Sequence, residues 1–405
     1  MIPSISEEIR QNILKHLVQL SFQATGLSSP NPPVACVITD LQGKILSFAH
    51  TDRVGGLHAE RRAYQNSSVP LLPNQHIVYV TLEPCSHTGR TPPCIDIILQ
   101  HQPKALVYGV RDPNPLLRAR DGLQELQQAG IHVQQDAELT SIAESFLYPF
   151  FSRIQKNRIN FIIKSSMSKE GNYAPTPRQR YALSAPESFA FADTLRAKVD
   201  AVLVGPGTVA YDSPRLNYRH KSTPAIEIRT QKNYFWESLL ATTEQSLADE
   251  TLYQPYRVFL LARPFVGIDE FVHKQEELNH RYSHKKCIFF LYSEYWQQWQ
   301  EWLEKLANLS ECEPIACMQE SLYDTITNHL QESGVNLLLV EGGNSLYTAF
   351  SQRMMAEDQI LWIKTQAKLE NGIAPNIQTP IQLFASYAVG FDTWEIYKAS
   401  TAKEN

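Results

Sequence analysis

Four residues of this chain together suit hydrolysis at a metal ion: His58, Glu60, Cys85 and Cys94. They stand in His58-Ala59-Glu60, in Pro84-Cys85 and, after the string SHTGRTPP, at Cys94. A hydrolytic zinc site takes three protein ligands of nitrogen and sulfur type and keeps a further position for water. His58, Cys85 and Cys94 supply that set. Zinc lowers the pKa of bound water towards about 7, which makes a nucleophile available at neutral pH. Glu60, just past the histidine, is placed to shuttle protons without coordinating, from the attacking water to the departing amine. Pro93 suits the opening of a helix, and a thiolate at Cys94 would be favoured by the N–H groups and dipole there. His58 also precedes a helical stretch. No piece is specific alone, since a His-Ala-Glu triplet is common and two nearby cysteines are often only small buried residues. The ordered combination, with proline ahead of the first cysteine, points to catalytic zinc. A closed structural site would need a fourth ligand, for which His87 is the nearby candidate.

The elements that position these residues follow from periodicity. Ser6–Gln23 repeats apolar residues at helical spacing (Ile9, Ile13, Leu17, Leu20). Val34–Ile38 and Lys44–Phe48 read as strands around a turn containing Gly43. A helix is expected after His58, a strand at His76–Thr81, a helix from about Pro93, a strand at Ala105–Gly109 and a helix over Gly122–Gly130. Cys36 reads as core within its strand. Strand and helix alternating in this way predict an α/β layered sheet. Near Phe151–Asn160 the chain turns basic and polar, so the domain boundary is placed there. Further strands are expected at Phe161–Lys164, Ala201–Val204, Arg257–Ala262, Cys287–Tyr292 and Asn336–Val340. Residues 220–255 show no clear period and read as a surface excursion. Two of the later strands run into glycine turns, Gly205-Pro206-Gly207-Thr208 and Glu341-Gly342-Gly343-Asn344-Ser345. Such turns can present N–H groups to a phosphate at a helix start, although glycines after strands are usually simple turns.

At 405 residues the chain is long enough for two domains. With 43% hydrophobic and 20% charged residues it has the composition of a folded globular protein. A net charge of -5 gives no footprint for duplex nucleic acid. No apolar run approaches the roughly 20 residues that span a bilayer, and the acidic, amphipathic N-terminus does not read as a signal peptide. Six cysteines do not suggest a disulfide framework. A cytoplasmic protein, without nucleic-acid or membrane partners, is expected.

The order His-Ala-Glu, Pro-Cys, Cys resembles the cytidine-deaminase superfamily. Most nucleoside and tRNA deaminases have two residues between the cysteines, whereas eight stand here. TLEPCSHTGRTPPC, with SPNPPVACV upstream and DPNP at Asp112–Pro115, resembles the bifunctional riboflavin-biosynthesis deaminase-reductases. LRAKVDAVLVGPGTVAYDSPRL resembles the second domain of that family, so the resemblance covers nearly the whole chain. It implies a cytidine-deaminase-like three-layer domain over residues 1–150, followed by a dihydrofolate-reductase-like α/β domain over 156–400. The implied cofactors are zinc and NADPH. The implied substrate is a small phosphoribosylaminopyrimidine, deaminated hydrolytically and then reduced from ribosyl to ribityl, and a homo-oligomer is expected. By position, Asn31, His50, His87 and Arg90 match substrate contacts of the deaminase. Arg196, Leu216, Arg219 and Glu341 match substrate contacts of the reductase, and Met167, Thr208, Asp212, Gly342, Gly343, Asn344 and Ser345 match its cofactor contacts.

The chain departs from the family pattern in places. Ala35 replaces a glycine before Cys36, and the glycine-rich turn after Asp112 reads LLRARDG. Ser168-Lys169-Glu170-Gly171 replaces Ser-Leu-Asp-Gly, Tyr181-Ala182-Leu183 replaces Trp-Ile-Thr, and Leu260-Leu261 stands where Leu-Asp is usual. The late Ala-Pro-Lys-Leu motif is missing near Thr365–Leu369. These changes leave a rival reading open, in which the C-terminal half is a degenerate binding or oligomerisation module behind a monofunctional deaminase. A polynucleotide deaminase is disfavoured by the net acidity and the cysteine spacing.

Overall fold

Apolar residues recurring every three or four positions fold Glu7–Ala24 into helix α1, which buries Ile13, Leu17 and Leu20, while the Ser6 hydroxyl accepts from the Ile9 N–H at its start. The computed structural model describes residues 3–88, 92–114, 120–176, 181–219, 226, 233–242, 247–282 and 287–400. They form two units. The first runs to Asn157 and includes Asn233–Leu239, and the second runs from Arg158, resuming at Leu240.

In the first unit, strands β1 (Ala35–Asp40) and β2 (Ile45–His50) pair as an antiparallel hairpin. Gly43 closes it at a φ of 86°, a left-handed conformation that a side chain would strain. There follow α2 (Ala59–Gln65), β3 (His76–Leu82), α3 (Cys94–His101), β4 (Ala105–Val110), α4 (Gly122–Gln128), β5 (His132–Gln135) and α5 (Ala137–Lys156). The sheet order is β2-β1-β3-β4-β5, with β3, β4 and β5 parallel. Helices α1 and α5 pack together, against β1 and β4 respectively, while α2 packs on β1, β2 and α3. Helices thus cover both faces of the sheet, giving three layers. Ile77, Val78 and Val80 of β3 are fully buried, as expected for a strand sandwiched between helices. Cys36 is buried core in β1. The basic, polar stretch near which the boundary is placed begins inside a helix. It forms the last turns of α5, with Arg153 and Lys156 near the C-terminal end, where cations suit the helix dipole.

The second unit contains β6 (Asn160–Met167), β7 (Ala174–Pro175), α6 (Pro186–Arg196), β8 (Ala201–Val204), α7 (Pro206–Asp212), the last residue of α8 (Tyr234–Leu240), β9 (Tyr256–Leu261) and α9 (Ile268–Arg281). It continues with β10 (Cys287–Tyr292), α10 (Leu303–Leu309), β11 (Ile315–Cys317), α11 (Leu322–Glu332), β12 (Leu337–Val340), α12 (Asn344–Ser351), β13 (Gln359–Lys364), β14 (Gly372–Ile373), β15 (Ile381–Val389) and β16 (Asp392–Ala399). Nine strands form one sheet in the order β11-β10-β9-β8-β12-β6-β13-β16-β15, parallel as far as β13 and closed by the antiparallel β16 and β15. The continuous apolar runs of β8 and β12 are buried throughout, as a central parallel strand requires.

The expected surface excursion over 220–255 is corrected where it is described. Residues 234–240 form α8, with Trp236 and Leu239 fully buried and the Phe235 ring 6.5 Å from both Phe22 and Phe146. Tyr253 and Gln254 are buried as well. Their partners lie far away in sequence, so no local period announces the burial. Among the described residues, no helix is long and apolar enough to cross a membrane.

Candidate active site

His58 is the N-cap of α2, Cys85 lies just beyond β3, and Cys94 is the first residue of α3. Two ties fix these elements to one another. The Ile95 N–H donates to the Cys85 carbonyl at 3.2 Å. From α2, Arg61 donates to the carbonyls of Pro92 and Pro93 at 3.0 and 2.7 Å. As a result His58 Nδ1 stands 3.5 Å from Cys85 Sγ and 3.4 Å from Cys94 Sγ. Bond lengths of about 2.3 Å to sulfur and 2.0–2.1 Å to nitrogen put the edge of a zinc tetrahedron at about 3.5 Å. The donor set and its spacing therefore fit zinc. No fourth His, Cys, Asp or Glu joins this cluster among the described residues. That leaves a coordination position for water and removes the basis for a closed structural site.

Burial and charge shape this site. Cys94 donates to Cys85 and holds its thiol below the usual range, while the same hydrogen bond pushes Cys94 up. His58 is raised, chiefly by its hydrogen bond with Cys85. Glu60, in the first turn of α2 and only 4% exposed, is pushed up to about 7, mainly by burial and then by the charge of Cys85. A carboxyl near neutrality can both accept and return a proton at working pH.

The site opens into a cleft of about 360 Å³, with His58, Glu60 and Cys85 joined by Asn31 and His87 in its lining. Asn31 is held by its N–H to the Ser28 carbonyl, while the Ser28 hydroxyl donates to the Asn31 carbonyl. His87 Nδ1 is buried and has no hydrogen-bond partner among the described residues. His50, at the end of β2, does not line the cleft; its Nδ1 lies 2.8 Å from the Thr51 carbonyl, and Thr51 forms the wall instead. Arg90 lies outside the described residues. The cleft also takes Glu83, Asp112, Phe150 and Arg153, which sequence reasoning did not assign. Glu83 and Asp112 lie within the quoted motifs, whereas Phe150 and Arg153 come from α5.

In the second unit the two strand-glycine-helix turns lie side by side. The Glu341 N–H donates to the Leu203 carbonyl at 2.8 Å and the Gly205 N–H to the Gly342 carbonyl at 3.2 Å. Gly342 and Gly343 adopt φ of 116° and 95°. A Cβ at Gly342 would sit 3.2 Å from Thr208 Oγ1. Gly342→Ala should therefore destabilise this unit by about 1–3 kcal/mol through backbone strain. The check is the urea midpoint of unfolding, and an unchanged midpoint would contradict this geometry.

Thr208, Asp212, Glu341 and Gly342 line a cleft of about 220 Å³. Met167, Gly343, Asn344 and Ser345 do not line it, and neither do the substrate candidates Arg196, Leu216 and Arg219. The Asn344 amide is taken up by the Ala374 carbonyl and the Asn376 N–H, and the Met167 carbonyl accepts from Thr365. The substrate candidates form an ion-pair chain. Arg219 meets Asp193 at 2.9 Å, Asp193 meets Arg196 at 3.0 Å, and Arg196 meets Glu341 at 2.6 Å. Burial alone would raise Glu341, but Arg196 and Lys164 outweigh it and hold the carboxyl below its usual range. The Nε atoms of Arg196 and Arg219 are buried without a hydrogen-bond partner among the described residues. Leu216, 1% exposed, adopts a φ of 57°, an outlier for so bulky a residue. Among the departures, Tyr181 and Leu183 line the cleft, while Leu261 is core in β9.

The family described as "Cytidine and deoxycytidylate deaminase zinc-binding region" matches residues 8–110. The riboflavin biosynthesis protein RibD of Actinobacillus pleuropneumoniae is 34% identical over 206 residues, 51% of this chain and 54% of that protein. RibD of Escherichia coli is 32% identical over 60% of each chain. The chain thus spans little more than half the length of the curated relatives it matches at that level. RibD of Haemophilus influenzae is 26% identical over 86% of this chain and 84% of its own. The crystal structure of a diaminohydroxyphosphoribosylaminopyrimidine deaminase/5-amino-6-(5-phosphoribosylamino)uracil reductase from Thermotoga maritima shares the fold, with a TM-score of 0.72 at 22% identity over 97% of this chain and 99% of that one.

Proposed function

We propose that this chain is a member of the RibD family of riboflavin-biosynthesis proteins, to which it is similar, and that it hydrolytically deaminates a diamino-hydroxy-phosphoribosylamino-pyrimidine and then reduces its ribosyl group to ribityl with NADPH. The observation that carries the reading is the His58, Cys85 and Cys94 triangle, set beside the buried Glu60 at one cleft. His58, Cys85 and Cys94 would hold zinc, which would make a water-derived nucleophile available near neutral pH. Glu60 takes a proton from the attacking water as its oxygen bonds to the ring carbon, and passes a proton to the exocyclic nitrogen, which leaves as ammonia when the C–N bond breaks. Asn31 holds the pyrimidine, and the unpartnered Nδ1 of His87 is left to bond it. Arg90 meets the phosphate in this reading, as a guanidinium suits.

In the second unit the paired glycine turns after β8 and β12 receive the NADPH phosphates, and bound NADPH supplies the hydride. Thr208, Asp212 and Gly342 meet the cofactor from the cleft wall. Arg196 and Arg219 meet the substrate phosphate, held apart and oriented by Asp193 and Glu341. That chain of ion pairs speaks against a second unit that only binds or assembles. The enzyme works in the cytoplasm as a homo-oligomer on a small molecule, and its net charge of -5 speaks against a polynucleotide substrate.

Arg219→Ala should raise KM in the reduction about ten-fold or more, because a charged hydrogen-bonding partner of the phosphate is lost. Deamination should be unaffected, and steady-state kinetics of both steps provide the check. The whole reading is tested by giving the purified protein the pyrimidine, with and without NADPH, and resolving the products. The deaminated ribosyl compound should accumulate without NADPH and the ribityl compound should form with it. Deamination with no NADPH oxidation would leave only the first half of the reading standing.

A further inference from the structure

We infer that Lys274 and Gln254 are positioning residues for reduction, acting through the segment 213–219 that carries Leu216 and Arg219. The inference rests on the reading of the second unit given above. This segment leaves the C-terminus of α7, directly after Asp212, and ends at the arginine paired with Asp193. It contains two non-glycine residues in the left-handed region, Ser213 at a φ of 43° and Leu216 at 57°. Such conformations persist only where the surroundings over-determine them, and they gather at functional sites.

The surroundings here come from outside the segment. At its start, Lys274 of α9 donates from Nζ to both the carbonyl and the hydroxyl of Ser213, at 2.9 and 2.7 Å. Next, the fully buried Gln275 donates to the Pro214 carbonyl at 3.1 Å, and its own Oε1 accepts from Arg257 at 2.6 Å. At the far end, Gln254 brackets Tyr218: its Oε1 accepts the Tyr218 N–H at 2.8 Å and its Nε2 donates to the Tyr218 carbonyl at 2.9 Å. Gln254 is 2% exposed and Tyr218 fully buried, so this pairing is shielded from water. The segment is thus gripped at both ends, and Leu216 and Arg219 take their places from those grips rather than from local propensity. Lys274 and Gln254 bond the segment's own backbone at Ser213 and Tyr218, so each acts through the segment.

The test is equilibrium binding of the deaminated phosphoribosyl pyrimidine to the full chain by calorimetry, together with reduction kinetics. Lys274→Met keeps the aliphatic stem and removes the donors. It should weaken binding and raise KM about ten-fold, change kcat far less, and leave deamination at the wild-type rate. Lys274→Arg, which restores donors, should recover most of the affinity. Gln254→Glu is nearly isosteric but lacks the donor for the Tyr218 carbonyl, so it should weaken binding in the same way and guards against a folding defect peculiar to Lys274→Met. Wild-type affinity in Lys274→Met and Gln254→Glu would overturn the inference alone, as would a lowered melting temperature in both with affinity unchanged. A wild-type chain that does not bind the intermediate would fail the reading of the second unit and this inference with it.

Discussion

Glu60→Gln lowers the rate of deamination by about 100- to 10,000-fold, the usual contribution of a positioned general acid-base group, while zinc stays bound and the fold is kept. The substitution preserves the size of a side chain that is 4% exposed, so packing in the first turn of α2 is undisturbed. What it removes is proton exchange. Burial pushes the Glu60 carboxyl up, and an amide can neither take nor return a proton in its place. The measurements are the rate of ammonia release, zinc content and circular dichroism of the purified variant. A near-wild-type rate would assign the proton transfers to another group.

The second large effect belongs to the ligands. Cys85→Ala and Cys94→Ala each remove one of the three proposed protein ligands, so zinc affinity should fall by more than the roughly 10- to 100-fold that changes in outer-shell partners cost, and deamination should fall with it. Cys85 Sγ also accepts the Cys94 N–H at 3.3 Å, so Cys85→Ala additionally leaves that amide without its acceptor. Metal analysis after dialysis decides the point. Stoichiometric zinc in both variants would mean that the ligands lie elsewhere.

The His58, Cys85 and Cys94 cluster was legible because the residues that mark it are local. Each stands at the beginning of a helix or just beyond a strand, and the elements on either side carry clear apolar periods, as β3 and α3 do. The strands and glycine turns of the second half were legible for the same reason, though their pairing was not. Residues 234–240 were not, because Trp236 and Leu239 are buried in a stretch without a local period and Phe235 meets Phe22 and Phe146, remote in sequence. Helix α5 was also missed, although Leu139, Ala143, Phe146 and Phe150 fall at helical spacing; Pro149 within it and the basic end beyond Phe151 break the pattern. Its Phe150 and Arg153 therefore entered the cleft unannounced. Side-chain direction is harder still. His50 and Asn344 match family positions, yet neighbouring backbone groups engage their polar atoms, and only tertiary structure reveals this.

The central claim is hydrolysis at the His58, Cys85 and Cys94 site. Its most direct test is ammonia release from the phosphoribosylaminopyrimidine by zinc-loaded protein without NADPH, in water labelled with heavy oxygen. Ammonia should appear in step with a product that carries the label on the ring carbon that lost its amine. Chelation should stop both, and added zinc should restore them. Protein with stoichiometric zinc that releases no ammonia from this substrate would contradict the claim.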